Sequence, residues 1–103
     1  MARRQFVILS RQSSPNGELR PIGTRKEILR DLFDYNTGPD RPDADDFLYG
    51  PGILIELPPG TDPVSQLLLT FTEEEIAWPV LMRLARAMTW KILDPTTGRE
   101  LTP

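Results

Sequence analysis

The chain has 103 residues, of which 39% are hydrophobic and 26% charged, and this size and composition lead us to expect one globular domain over residues 1–103. It contains neither cysteine nor histidine, which excludes disulfides, thiolate and imidazole metal sites, Ser-His-Asp triads and imidazole acid–base catalysis. The net charge of −3 is unevenly distributed: residues 1–30 carry seven basic and two acidic side chains, and residues 31–75 carry one basic and eleven acidic ones. We interpret the two blocks as complementary within one fold, with a partner-binding footprint as the alternative.

The N-terminal segment places basic residues ahead of an apolar run, as a signal peptide does. The run Phe6–Leu9 stops after four residues, which is too short for the core of a signal peptide. No other apolar run is long enough to span a bilayer. We therefore expect a cytoplasmic protein with no membrane partner.

The first predicted strand is Gln5–Ser10, whose consecutive apolar residues favour a central strand covered on both faces. A turn is predicted at residues 13–17, because Asn and Gly tolerate positive φ. This turn either closes a hairpin with Glu18–Ile22 or belongs to a long loop, and the sequence does not decide between them. A helix is predicted from Thr24, whose capping box with Glu27 satisfies backbone N–H groups of the first turn.

Residues 37–52 are rich in proline, glycine and aspartate, which predicts a long loop. Three consecutive large apolar residues, Phe47, Leu48 and Tyr49, are expected to anchor it to the domain. Loops of this length are often functional, so four of its side chains are candidates for a ligand-binding loop: Asp43, Asp45, Asp46 and Tyr49. The aspartate spacing does not match a calcium-binding EF-hand loop. We expect no metal and no cofactor, and we interpret the aspartates mainly as solvated turn formers.

The second half of the chain predicts three strands, a helix and one short return strand. The strands are Ile53–Leu57, Leu67–Thr72, Trp90–Leu93 and, as the return of a C-terminal hairpin, Arg99–Thr102. A second capping box over Thr72–Glu75 is predicted to open the helix. Pro79 either kinks this helix or marks the start of its main part.

The resulting order is βαββαβ, which predicts an α+β two-layer sandwich of the ferredoxin-like type. In that fold a four-stranded antiparallel sheet has both helices on one face, and the C-terminal hairpin strand would be an addition to it.

Catalysis and RNA binding are both disfavoured by the side chains present. Glu56 and Asp94 are the carboxylates best placed to act as an acid–base pair, but nothing in the sequence brings them together, and we predict no enzyme. RNA-recognition motifs share the βαββαβ order and stack bases on aromatic residues of the two central strands. Those strands each have one aromatic residue here, Phe6 and Phe71, and both are predicted to face the core of an acidic chain.

The strand patterns place aliphatic residues on both faces of the sheet. If one face packs on the helices, the opposite face presents Val7, Leu9, Leu54, Leu68 and Leu93. Such a face would expose on the order of a few hundred Å² of apolar surface, which is typical of an interaction site. Our leading hypothesis is a non-catalytic module that self-associates or binds a partner protein through this face. Coverage of the face by the chain's own loops is the alternative interpretation, and a small-molecule-binding regulatory domain using the 37–52 loop is the alternative function.

Overall fold

The computed structural model describes residues 3–12, 15–18 and 20–101 of the chain. In chain order the helices and strands are β1 (Gln5–Ser10), α1 (Arg25–Phe33), β2 (Phe47–Gly50), β3 (Ile53–Glu56), β4 (Gln66–Phe71), α2 (Glu74–Met88), β5 (Trp90–Asp94) and β6 (Arg99–Leu101). The predicted turn at residues 13–17, and the hairpin with Glu18–Ile22 that was one of its two interpretations, lie partly outside the described residues. Within them, the Arg20 N–H donates to the Gln12 carbonyl at 3.0 Å.

All of the described strands belong to one antiparallel sheet with the order β2-β3-β4-β1-β5-β6. The predicted four-stranded ferredoxin-like sheet is therefore wrong. The described part of the chain forms one sheet of six strands, accompanied by two helices. Residues 47–50, predicted to lie in a loop, form an edge strand that pairs with β3. Arg99–Leu101 pairs with β5 at the other edge.

One contiguous core lies between the sheet and the two helices. The inward-facing side chains of the sheet include Phe6, Ile8, Ile55 and Leu69, each at most 2% exposed. The helices contribute buried residues at helical spacing, because every third or fourth side chain faces the sheet. These residues are Ile28 and Leu32 of α1 and Ala77, Leu81, Leu84 and Ala85 of α2. Both helices consequently cover the same face of the sheet.

The two helices begin in different ways. The predicted capping box of α1 is present: Glu27 N–H donates to Thr24 Oγ1 at 3.1 Å, and Thr24 N–H donates to Glu27 Oε1 at 2.9 Å. The predicted capping box of α2 is wrong, because Glu73 is the N-cap and makes no side-chain cap hydrogen bond. Instead the Gly52 carbonyl accepts from the N–H groups of Thr72 and Glu73, at 2.8 and 3.2 Å. A tertiary contact therefore holds the two residues that lead into α2, while the first turn has no side-chain cap.

Helix α2 continues through Pro79 from Glu74 to Met88 without interruption. It ends at Thr89, which adopts a left-handed conformation with φ 58° and donates its N–H to the Ala85 carbonyl. Strand β5 starts at the next residue, Trp90. Among the described residues, neither helix combines the length and hydrophobicity that crossing a membrane requires.

Candidate interaction surface

The sheet face opposite the helices, here called the open face, carries all five aliphatic side chains proposed from the sequence. Val7, Leu9, Leu54, Leu68 and Leu93 are each partly exposed, and none is buried. Their inward-facing neighbours on the same strands are almost fully buried, Ile8 and Leu69 being 0% exposed. The contrast follows from the strand geometry, because successive side chains point to opposite faces and only one face has helices over it.

The strand register aligns part of this surface into one continuous row across the sheet. Cross-strand partners follow one another from β2 to β6 as Phe47, Glu56, Leu68, Val7, Leu93 and Glu100. Directly opposite residues in an antiparallel pair lie about 5 Å apart, so these side chains touch one another along the row. The middle of the row, formed by Leu68, Val7 and Leu93, is entirely aliphatic.

Two exposed aromatic residues extend the open face at the β2 edge. Phe47 is 45% exposed and Tyr49 is 49% exposed, while Leu48 between them is 0% exposed. All three were predicted to lie in a loop, because three consecutive large apolar residues show no alternation in the sequence, and only their exposures alternate as in a strand with one covered face. The segment is short and is flanked by proline, glycine and aspartate, which concealed this signal.

The open face carries charged side chains of both signs: Glu56 and Glu100 are acidic, and Lys91 is basic. Glu56 lies on β3, next to Leu68, and Lys91 lies on β5, next to Leu9. Two strands separate them, which corresponds to about 14 Å at the usual interstrand spacing. Neither side chain takes part in an ion pair within the described part of the chain.

A shallow depression of about 220 Å³ opens at one end of this surface. Val7 and Leu68 form its apolar side, and Glu56, Pro58 and Pro59 contribute to its rim. The open face is therefore not flat, and the depression provides a recess for one side chain of an opposing surface.

The structure places the four candidate ligand residues in different surroundings. Asp45 and Asp46 both bind Arg25 Nη2, Asp45 at 3.3 Å and Asp46 more closely. Asp43 is exposed and lies apart from this ion pair. Tyr49 lies on β2, where its backbone exchanges hydrogen bonds with Gly38. Two of the three aspartates thus anchor the loop to α1, and within the described ranges no three acidic side chains are arranged to hold a metal ion.

A second concavity lies beside Tyr49, between the end of α1 and residues 36–42. Its lining includes Phe33, which is 76% exposed, as well as Pro39 and Arg41. Of the four candidate ligand residues, only Tyr49 contributes to this lining.

The aromatic residues of the central strands do not face solvent. Phe6 is 2% exposed and Phe71 is 3% exposed, and their rings pack against each other with centroids 5.1 Å apart. Trp78 of α2 completes the cluster at 5.6 and 4.9 Å from the two rings. Arg4 lies over the Trp78 ring and also pairs with Glu74 at 3.0 Å.

No family model, curated protein or solved structure matches the chain.

Proposed function

We propose that this protein is a non-catalytic interaction module that self-associates through the open face. The observation that supports this most directly is the partial exposure of Val7, Leu54 and Leu68, which lie on three adjacent strands at the centre of the sheet. Aliphatic side chains clustered at the centre of a solvated face are an association signal, because covering them removes apolar surface from water.

A second copy of the chain is the occupant that the charges favour. The sheet has three strands on each side of the line between β4 and β1. A two-fold axis along this line, with the two open faces in contact, places β3 of each copy over β5 of the other. Glu56 on β3 then lies over Leu93 of the second copy, two residues along β5 from Lys91, so that the two charged side chains can meet, and the same pair occurs twice. The two ion pairs flank an aliphatic centre formed by Val7 and Leu68.

The size of the open face is sufficient for a weak dimer. Six strands about 4.8 Å apart and about five residues long bury roughly 1,000 Å² in total when two such faces meet. This is near the lower limit for a specific interface, so we expect a dimer that dissociates in the micromolar range.

The decisive measurement is the molar mass in solution, by light scattering after size exclusion, between about 10 μM and 1 mM protein. We expect a concentration-dependent shift from monomer to dimer. Leu68→Lys places two charges at the centre of the interface and should abolish the shift while leaving the circular dichroism spectrum unchanged. Ile76→Lys is the matched control, since Ile76 is 41% exposed on α2 and lies away from the open face.

A wild-type monomer throughout this concentration range would contradict self-association. A dimer that survives Leu68→Lys would contradict the assignment of the open face as the contact surface. Equal loss of dimer in Ile76→Lys would indicate a general effect of the added charge.

The cytoplasm is the compartment that we propose. The segment that resembles the start of a signal peptide forms β1, which pairs with both β4 and β5 near the centre of the sheet. Removal of this segment by cleavage would eliminate a central strand and several core side chains. Fractionation of cells expressing the tagged chain tests this location.

A small-molecule-binding regulatory domain is the second candidate function. The observation that favours it is the concavity beside Tyr49, where two exposed aromatic side chains, Phe33 and Tyr49, border the same space. A rise in melting temperature with a planar ligand, lost in Phe33→Ala, would support this function. The same rise in Phe33→Ala would exclude this concavity as the site.

A further inference from the structure

The turn at residues 15–18 contains a dipeptide, Asn16-Gly17, that neither the open face nor the concavity beside Tyr49 includes. Both residues are exposed, and Gly17 adopts φ 88°, in the left-handed region that favours glycine. Within the described residues, no atom lies within 4 Å of the position that a Cβ would occupy on Gly17. The Gly17 peptide nitrogen therefore has open space beside it, where any other residue would place a side chain.

A local hydrogen bond folds the Asn16 side chain back along the backbone. The Glu18 N–H donates to Asn16 Oδ1 at 3.2 Å, so the side-chain carbonyl lies over the peptide that follows Gly17. The hydrogen bond also withdraws electron density from this carbonyl and makes its carbon, Cγ, a better electrophile. A bond from the Gly17 nitrogen to Cγ closes a five-membered ring, because only Cβ, Cα and the carbonyl carbon of Asn16 separate the two atoms. The turn folds the side chain in the direction that this ring closure requires.

We propose that Asn16 is a site of spontaneous deamidation, which does not depend on self-association. The Gly17 backbone nitrogen loses its proton to water, attacks Cγ of Asn16 and forms the Cγ–N bond. The side-chain amide nitrogen takes up a proton and leaves as ammonia, so the product is a cyclic imide. Water then adds to one of the two imide carbonyl carbons and breaks its bond to nitrogen. One opening leaves an aspartate at position 16, and the other leaves an isoaspartate, whose main chain continues through the former side chain.

Asn36 is the other asparagine of the chain, and its surroundings oppose the same reaction. The residue that follows it is Thr37, which is 1% exposed and whose branched side chain crowds the backbone nitrogen. The Thr37 N–H donates to the Leu32 carbonyl at 3.1 Å, so this nitrogen is fixed at the end of α1. Asn36 should therefore keep its amide in the folded chain while Asn16 loses it.

Deamidation of Asn16 would change the charge of the basic first block of the chain. A carboxylate replaces a neutral amide, which makes the net charge of −3 more negative by one unit and adds an acidic side chain to the two within residues 1–30. The isoaspartate product also lengthens the main chain of the turn by one carbon. Aged protein should consequently separate from fresh protein on anion exchange, while its circular dichroism spectrum is unchanged.

Peptide mapping of the full chain by mass spectrometry, during incubation in warm, mildly alkaline buffer, tests the proposal. We expect the mass gain of deamidation at Asn16 and none at Asn36 over the same period. Fragment spectra should show both isoaspartate and aspartate at position 16, because direct hydrolysis of the side chain would give aspartate alone. Unfolding in urea should accelerate the reaction at Asn36 by a larger factor than at Asn16, since it releases the Thr37 nitrogen.

Two variants test the roles of the dipeptide. Gly17→Ala should slow deamidation of Asn16 by at least about fivefold, because a Cβ then crowds the attacking nitrogen. Asn16→Gln should keep its amide over the same period, because its ring closure would need six atoms. Gly98→Ala is the matched control, since Gly98 has φ 73° in a different turn and follows a threonine, and it should leave the rate at Asn16 unchanged.

An Asn16 amide that persists in the folded chain throughout the incubation would overturn the proposal. Deamidation of Asn36 as fast as that of Asn16 would contradict the role of the turn. Aspartate without isoaspartate, or a wild-type rate in Gly17→Ala, would rule out attack by the Gly17 nitrogen.

Discussion

Gly52 shows how one residue connects the β2–β3 turn to helix α2. Its φ of 70° lies in the left-handed region, and its carbonyl accepts hydrogen bonds from Thr72 and Glu73, the two residues that lead into α2. A Cβ at this position would lie 2.8 Å from the Glu73 carbonyl oxygen and 2.9 Å from the Ala77 nitrogen. Both atoms belong to the helix backbone, so neither can move aside without shifting the helix.

Gly52→Ala should therefore lower the free energy of unfolding by about 2–4 kcal/mol, as measured by urea denaturation. Gly60→Ala is the control, because Gly60 has φ 69° but no atom within 4 Å of an added Cβ. This control isolates the cost of the left-handed conformation, about 1 kcal/mol. Equal losses in the two variants would show that the close approach to α2 contributes nothing.

Glu27 makes stability depend on pH through its capping interaction. The Thr24 backbone N–H, then the Thr24 hydroxyl and the charge of Arg30, hold the pKa of Glu27 below its ordinary value. A folded-state pKa below the unfolded one contributes stability above the unfolded pKa, and this stability is lost as pH falls through the folded pKa. Wild type should therefore lose stability relative to Glu27→Gln as the pH falls below about 4.5. Parallel pH profiles of unfolding free energy for the two proteins would contradict this coupling.

Whether a residue's role could be predicted depends on whether its partners are local in sequence. The Thr24 capping box was predicted correctly, because both partners lie within one helical turn. The Thr72 box had the same local pattern and failed, because the Gly52 carbonyl occupies the N–H groups of Thr72 and Glu73 from 20 residues away.

Among the elements, β2 is the one whose omission changed the predicted fold. Its four residues pair with β3 throughout, and Leu48 pairs with Ile55 in the core. Proline and aspartate precede this strand, and it ends in the Gly50-Pro51-Gly52 run that makes the tight turn to β3. These residue types are typical of loops, so the sequence pattern predicted a loop here. Only tertiary pairing identifies such a short edge strand.

Arg25 connects α1 to the two loops on either side of the β2–β3 hairpin. Its guanidinium binds Asp45 and Asp46 and donates to the Pro58 carbonyl at 2.8 Å, and its side chain is only 14% exposed. Arg25→Met should lower the free energy of unfolding by about 1–3 kcal/mol, because a carbonyl and two carboxylates lose a charged donor. Arg25→Lys should recover less than half of the loss, since an ammonium lacks the planar fork.

Arg30→Met provides the control for Arg25→Met. The Arg30–Asp31 pair has the same charges, but the Arg30 side chain is 70% exposed, so its loss should cost at most about 0.5 kcal/mol. Limited proteolysis should also show faster cleavage within residues 40–46 in Arg25→Met than in Arg30→Met. Similar stability and cleavage in both variants would contradict the anchoring role of Arg25.

At the scale of the whole molecule, the uneven charge along the chain is partly neutralised by folding. Arg4 pairs with Glu74 and Arg25 pairs with Asp45 and Asp46, so the basic first block meets the acidic second block. Glu56 and Lys91 do not take part in this pairing and lie on opposite halves of the open face. In the proposed dimer this separation brings Glu56 of each copy near Lys91 of the other, while Glu100 adds an acidic side chain to the Lys91 half of the face.

A charge exchange between Glu56 and Lys91 tests the orientation of the proposed dimer. Glu56→Lys or Lys91→Glu alone places like charges together twice across the two-fold axis and should weaken dimerisation at least tenfold. The double exchange restores opposite charges and should bring the dissociation constant back to within about threefold of wild type, as measured by sedimentation equilibrium. High salt should reduce these differences, because the pairs lie at the rim of the interface. If both single variants weaken the dimer and the double exchange does not restore it, the open faces do not meet about an axis parallel to the strands.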